Sequence, residues 1–468
     1  MKKYKYILFS FSLIWSFSCD DKLEITPQDV LVAEVAISNL DDLETALTSV
    51  YSALRGDGLY QESMVYLPDL MADNLRIGDS NGGALRTEAN WQYSSGDDID
   101  TWEEAYRLIF RANLVIENAA RFEDGTQKNR ILGQALALRA LSHFDLLRYY
   151  GADYGRNSAS KGVPVIEVNE VGKPARNTVA EVYDKVFEDL LQARTLLGDV
   201  DKDVQENGPY FMDQKAVNAL LARVSLYAGE WQNAVDYATS VISSSTLANP
   251  ADYAAMWAND ADAEVIFSVI FSTPDEGRLG SRLFDINTNR STITLTADVA
   301  ELYDAANDVR FSSFVLVNPD ANPGDDVYLP IKYPGRGGER GLNNAKVLRV
   351  SEMYLIRAEA YTNIAGQDAA AMADLNALRT SRITGYAPEN LSGAALADAI
   401  EVERRKELVA EGHRWFDLRR LGKGVTRGAD CRGLTTSCDL AAGNFRFAFP
   451  IPQDEILANP NMVQNDQY

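Results

Sequence analysis

The chain is 468 residues long, with 46% hydrophobic and 24% charged residues, a composition that can bury a sizeable core and excludes wholesale disorder. Acidic residues outnumber basic ones 68 to 45, and the resulting charge of −23 repels phosphate backbones and argues against nucleic acid as a partner. Three cysteines and two histidines form no closely spaced ligand cluster, so no metal and no cofactor are expected.

Residues 1–18, MKKYKYILFSFSLIWSFS, join a basic start (Lys2, Lys3, Lys5) to an apolar run from Tyr6 to Phe17. At about 1.5 Å per residue that run is too short to cross about 30 Å of hydrocarbon, so it reads as a signal peptide to be removed. Ser18-Cys19 at its end, followed by Asp20, Asp21 and Lys22, places a small residue before a cysteine that can be lipidated. That predicts an exported body tethered to a membrane surface. Export implies an oxidising compartment, and Cys431 and Cys438, seven apart in CRGLTTSC, are candidates for a small-loop disulfide.

From Asn39 onward, apolar residues recur at three- and four-residue spacings. Leu40, Leu43, Leu47, Val50 and Leu54 predict a first helix ending at Gly56. A second is predicted over about 99–121, burying Trp102, Tyr106, Ile109, Leu114 and Ile116, and a third over 130–150, stopping at Gly151. Thr178-Val179-Ala180-Glu181 is a capping box opening a helix that carries Val182, Val186, Leu190 and Leu197. Residues 213–229 and 231–244, around Ala228-Gly229-Glu230-Trp231, are similar to a tetratricopeptide repeat, in which small residues let two helices pack closely. A second pair is predicted at 350–364 and 369–381. Between the pairs, Glu264 to Phe271 reads as a buried strand, and the rest of 262–350 (NPDANPGDD, YPGRGGERG) as a loop-rich insertion where binding can sit. A charged helix follows over 393–421. Glu401, Arg404, Arg405, Glu407, Glu411 and Arg414 alternate in sign at helical spacings, which predicts a solvent-facing ridge backed by Trp415, Phe416 and Leu418. The last residues, FAFPIPQDEILANPNMVQNDQY, read as an extended tail over the body. The fold class expected is all-α, a scaffold of tetratricopeptide-like helix pairs with a loop-rich insertion and a few short strands.

Four segments carry a family resemblance: Cys19 followed by DDKLEITP; ALALRALSHFDLLRYYG (135–151); LRVSEMYLIRAEAY (348–361); and EGHRWFDLRRLG with FPIPQDEILANPNMVQN (411–422, 449–465). In this order the chain resembles the SusD/RagB family of Bacteroidetes outer-membrane lipoproteins. The resemblance implies an N-terminal SusD-like helical region over 19–260 and a C-terminal RagB/SusD region over 261–468. It also implies a non-enzymatic lipoprotein anchored in the outer membrane and facing the exterior. Such a protein captures oligosaccharides for a SusC-like TonB-dependent barrel transporter. Some relatives bind peptides instead, which is the alternative reading; an exported glycoside hydrolase is a rival from another class.

A sugar is held by flat aromatic faces against its C–H surface and by amide, carboxylate and guanidinium groups on its hydroxyls. The loop before the second helix offers Asn74, Arg76, Asn90, Trp91 and Tyr93, and Trp91, in a polar stretch with Gly82, Gly83 and Gly96, is expected to expose its indole. The insertion offers Arg282, Phe284, Asn289, Tyr333 and Arg336, with Arg278, Asn287, Arg290, Tyr328 and Arg340 nearby. These are the predicted ligand contacts. His143, on an amphipathic helix beside Phe144, and His413, inside the charged ridge, read as structural; no GxSxG accompanies them. Asp97, Asp98 and Asp100 lack calcium-loop spacing and read as a solvated turn. A hydrolase needs two carboxylates facing across a cleft, and nothing singles out such a pair. The negative charge of the chain disfavours long polyanionic glycans, so neutral oligosaccharides are expected.

Overall fold

The computed structural model describes residues 37–97, 100–198, 208–258, 261–272, 277, 279–283, 291–318 and 327–468. The predicted signal peptide and Cys19 lie outside the described residues, as do Asp98, Arg278, Phe284, Asn287, Asn289 and Arg290.

The periodic segments fold as helices. Helix α1 (Leu40–Ala53) opens at Asn39, whose side chain accepts the N–H groups of Asp41 and Asp42, and it buries Leu43, Leu47 and Val50. Helices α2 (Thr101–Ala119) and α3 (Thr126–Tyr150) follow. The sequence reading of α3 as amphipathic needs correction: Gly133 to Tyr150 is buried without a break, so this helix is enclosed on every side. Helix α4 (Val179–Gly198) starts at the predicted capping box, with Thr178 Oγ1 accepting the Glu181 N–H at 3.2 Å and Glu181 Oε2 accepting the Thr178 N–H at 2.7 Å. Helices α5 (Gln214–Ala228) and α6 (Trp231–Ile242) form the first repeat-like hairpin, with Gly229 at φ +71 ending α5. Ala222, Ala234 and Ala238 are wholly buried in it.

The second hairpin is α7 (Val350–Thr362) with α8 (Asp368–Arg382), followed by α9 (Gly393–Glu407) and α10 (Arg414–Arg420). Successive helices stack: α1 on α2, α2 on α3, α3 on α4, α4 on α5, α5 on α6. The stack then continues from α6 directly onto α7, across the whole insertion, and on to α8 and α9. One buried cluster accordingly holds residues from both sides of position 260, Leu220 and Leu348 among them.

Short strands splice the insertion onto this stack. Strand β1 (Leu75–Ile77) pairs antiparallel with β3 (Ile293–Leu295), and β2 (Val265–Val269) pairs antiparallel with β4 (Ala345–Arg349). Every ladder among the described residues is two-stranded and antiparallel. No helix among the described residues is long and apolar enough to cross a membrane.

The predicted helix over 393–421 is broken between α9 and α10. Ala410 (φ +56) and Gly412 (φ +81) take left-handed conformations there, and a Cβ on Gly412 would run into the Met64 carbonyl. The solvent-facing ridge is also a misreading. Glu403, Arg404, Glu407, Glu411 and Arg414 are all buried, because their partners come from distant elements. Arg349 meets Glu264 at 2.7 Å, Glu407 at 2.9 Å and Glu411 at 2.6 Å. Arg382 meets Glu264 at 2.8 Å and Glu407 at 3.1 Å, and Arg310 meets Asp308 at 2.8 Å and Glu403 at 2.6 Å. Like most buried charges these are paired and hydrogen-bonded on several sides, which is what offsets their desolvation.

The final stretch lies across the first half of the chain, interrupted by the short helix Gln453–Ala458. Asn459 donates to the Pro174 carbonyl at 2.7 Å, Asn465 donates to those of Tyr150 at 3.0 Å and Phe449 at 2.7 Å, and Lys161 pairs with Asp466 at 2.7 Å.

Candidate functional site

Three segments far apart in sequence meet on one face. Pairing of β1 with β3 sets the loop after Ile77 beside the segment before Ile293, and the Gly78 N–H donates to the Thr292 carbonyl at 2.9 Å. Asn81 Nδ2 donates to the same carbonyl at 2.8 Å, while its Oδ1 accepts the Gly83 N–H at 2.6 Å and holds the loop closed. The third segment is the loop between Cys431 and Cys438. These cysteines are bridged, with Cα atoms 5.2 Å apart. Thr435 Oγ1 accepts the Ile77 N–H at 3.1 Å, and Asp430 accepts the Ala297 N–H at 2.9 Å, which docks the bridged loop against both strands.

Three of the ten predicted ligand contacts are supports beneath this face. Asn90 is buried; its Oδ1 accepts the N–H groups of Thr436 at 2.7 Å and Ser437 at 3.0 Å, and its Nδ2 donates to the Leu434 carbonyl at 2.9 Å. Asn74 is buried between Asp69 (2.7 Å) and Arg405 (2.7 Å). Arg76 is buried below the loop, donating to the Ile77 carbonyl at 3.0 Å, with Asp79 at 3.6 Å and Asp430 at 3.8 Å. The expectation that these three touch ligand is corrected by their burial.

The aromatic expectations are corrected in the same way. Trp91 is only 4% exposed; its indole N–H donates to the Met71 carbonyl at 2.8 Å and the Arg427 guanidinium covers its ring at 4.3 Å. Tyr93 is buried against Phe449, ring centroids 4.8 Å apart, and its hydroxyl donates to the Arg446 carbonyl. Tyr333 is buried beside Trp257 and donates to the Ala410 carbonyl at 3.0 Å. Arg336 is half-buried and donates to Asn344 at 3.0 Å and to the Phe271 carbonyl. Arg282 is exposed and stands at this face, its carbonyl accepting the Ile293 N–H at 3.1 Å and its Nε 2.8 Å from Glu62. Phe284 and Asn289 lie outside the described residues.

The described part of the face is therefore polar. Asp79, Ser80, Arg86, Arg282 and Thr436 are exposed on it, and Asn81 and Arg432 are half-exposed. Sequence reasoning took the CRGLTTSC stretch as a staple only; its joint signal with the Gly82-Gly83 loop was two turn-rich polar segments. Beneath, burial raises Asp69 to about 6, against hydrogen bonds from Asn74 and the Ala410 N–H that favour its charged form. Burial likewise raises Glu62 above its usual range even with Arg282 alongside. Neither histidine takes part: both are buried, and burial lowers His143 to about 3 while its Nε2 accepts the Ile166 N–H at 3.2 Å. Asp97 accepts the Ser94 N–H at 2.6 Å in a turn, and no group of three His, Cys, Asp or Glu among the described residues is placed to hold a metal ion.

The profile of the SusD family matches residues 327–468, and a second profile, described as starch-binding associating with outer membrane, matches residues 24–226. The chain belongs to the SusD/RagB family. It is similar throughout its length to SusD-like protein P38 of Formosa agariphila, 26% identical over 545 residues with 100% of both chains covered. It is likewise 26% identical over 524 residues to SusD-like protein P2 of the same organism, covering 100% of this chain and 99% of that one. Among solved structures, a SusD superfamily protein from Bacteroides thetaiotaomicron superposes with a TM-score of 0.81 at 29% identity, covering 92% of this chain and 100% of that one. A SusD-like carbohydrate binding protein from Bacteroides vulgatus superposes with a TM-score of 0.77 at 25% identity, covering 91% and 97%. SusD family members are non-catalytic binding proteins associated with the outer membrane.

Proposed function

We propose that this SusD family member captures neutral oligosaccharides at the three-segment face and passes them to a SusC-like TonB-dependent transporter, itself held at the outer membrane by lipid on Cys19. The observation carrying the reading is the convergence of residues 78–86, 282–283 with 291–292, and 428–438, locked by the Cys431–Cys438 bridge and the buried Asn90, under a surface of carboxylate, hydroxyl, amide and guanidinium groups. Such groups bind sugar hydroxyls in competition with water, and a prefixed loop lowers the ordering cost of doing so. The carbohydrate-binding relative from Bacteroides vulgatus lends support. No step of bond cleavage is needed: the chain raises the local concentration of ligand above a pore.

The test is affinity electrophoresis of the purified mature chain through gels containing neutral polysaccharides, followed by calorimetry. Retardation is expected, with no reducing sugar released over hours. An Asp79→Ala/Arg282→Ala variant is expected to bind at least tenfold more weakly at unchanged melting temperature. Sugar release, or co-purified oligopeptides with no glycan retardation, overturns the reading.

A further inference from the structure

A separate concavity opens where the two repeat-like hairpins, the end of α10 and residues 443–448 come together. It encloses about 700 Å³, within the range of small-molecule sites, and shares no lining residue with the three-segment face. Tyr154, Tyr227, Trp231 and Phe445 supply ring surface. Trp231 and Phe445 are half-buried, so part of each ring faces the groove.

Its cations are already committed. Arg420 is paired with Glu359 at 2.8 Å and with Asp417 at 2.8 Å. Arg419 donates to the carbonyls of Gly151 (2.6 Å) and Ala152 (2.9 Å), with its guanidinium 4.5 Å over the Tyr154 ring. A polyanionic ligand would have to break these interactions to be neutralised. Beyond them the groove offers the exposed Asn363, the half-buried Asn444 and Asp153, whose carboxylate accepts the Gly155 N–H at 2.9 Å and the Ser158 hydroxyl at 2.8 Å and would repel an anion.

A hollow of about 440 Å³ adjoins at one side, sharing Glu359, Asn363, Arg420 and Leu421, and another of about 360 Å³ adjoins at a second, sharing Ala152, Phe445 and Ala448. Ring faces, neutral amides and a run of connected hollows suit a linear polyhydroxylated chain better than a single small solute.

We infer that this groove is a second binding site, taking the chain of a neutral oligosaccharide along Trp231, Tyr154 and Phe445, an inference that rests on the reading of the protein as a glycan binder. Two sites on one body raise avidity for a long glycan without new contacts at either.

The experiment is isothermal calorimetry of the full mature chain with neutral hexasaccharides of α- and β-linked glucose, mannose, xylose and galactose. Trp231→Ala removes a ring, and Ala152→Trp obstructs the groove from an exposed position whose replacement leaves the core untouched. The wild-type chain is expected to show two binding components. Each groove variant is expected to weaken one component at least tenfold and leave the other, while Asp79→Ala/Arg282→Ala does the reverse. If both groove variants give the wild-type isotherm while the face variant abolishes the heat, the groove is not a site and the proposed function stands. If the groove variants alone abolish binding, the face reading fails and the groove is the site. If no hexasaccharide binds to the wild-type chain, both fall.

Discussion

Arg427 donates five hydrogen bonds, to the carbonyls of Leu70, Met71, Ala72, Ala89 and Ser437, all between 2.6 and 2.9 Å. A guanidinium has five N–H donors in a rigid fork, so no other side chain can hold these carbonyls together. Burial lowers its pKa to about 10, and it is still charged at neutral pH. Arg427→Lys loses at least two of these five buried hydrogen bonds and is expected to cost about 3 kcal/mol, read as a lowered urea midpoint at pH 7. Trp91→Ala is expected to behave as a core truncation, losing about 3–5 kcal/mol by the same measurement. Nothing within twenty residues of Trp91 announces its burial. The residue that covers it lies more than three hundred positions downstream, and a polar, glycine-rich neighbourhood points the other way. That is why the sequence singled out this segment as polar and turn-rich but did not disclose the burial of Trp91 and Asn90 within it.

Helix starts and ends were readable because they are decided locally. The capping box at Thr178 and Glu181, the stop at Gly151 and the turn at Gly229 each act within four residues. The α9–α10 stretch is the contrary case. Alternating charges at helical spacing describe an exposed salt-bridged ridge equally well as a buried one, and the choice is made by Arg310, Arg349 and Arg382 on other elements. Burial alone would raise Glu403 and Glu407, but Arg310 beside the first and Arg382 and Arg349 beside the second hold Glu403 at about 2 and Glu407 well below its ordinary value. In the unfolded chain both titrate near about 4.3. Their contribution to stability is therefore complete above about pH 5 and lost as pH falls toward 2. Urea midpoints by circular dichroism are expected to drop across that window. Glu407→Gln, weaker by about 3–5 kcal/mol at pH 7 because it leaves buried arginines undercompensated, is expected to show a shallower drop.

Across the molecule, the stack of helices runs unbroken from α6 to α7 although about a hundred residues intervene, and the insertion is tied into that scaffold by Glu264, Arg310 and Arg349. The bridge between Cys431 and Cys438 belongs to the decoration, closing a small loop. Cys431→Ser/Cys438→Ser is expected to cost about 2 kcal/mol, to leave far-ultraviolet dichroism unchanged, and to weaken glycan retardation in affinity gels. For the proposed anchor, Cys19→Ala is expected to move the protein out of the membrane fraction and to abolish palmitate labelling.

The tail laid over the Tyr150 and Pro174 carbonyls carries a consequence for the order of events in folding. A latch joining residues about three hundred positions apart has a long loop to close, so it engages after the helices, whose contacts are local. The helical body is thus built first, and the clasp snaps shut over it.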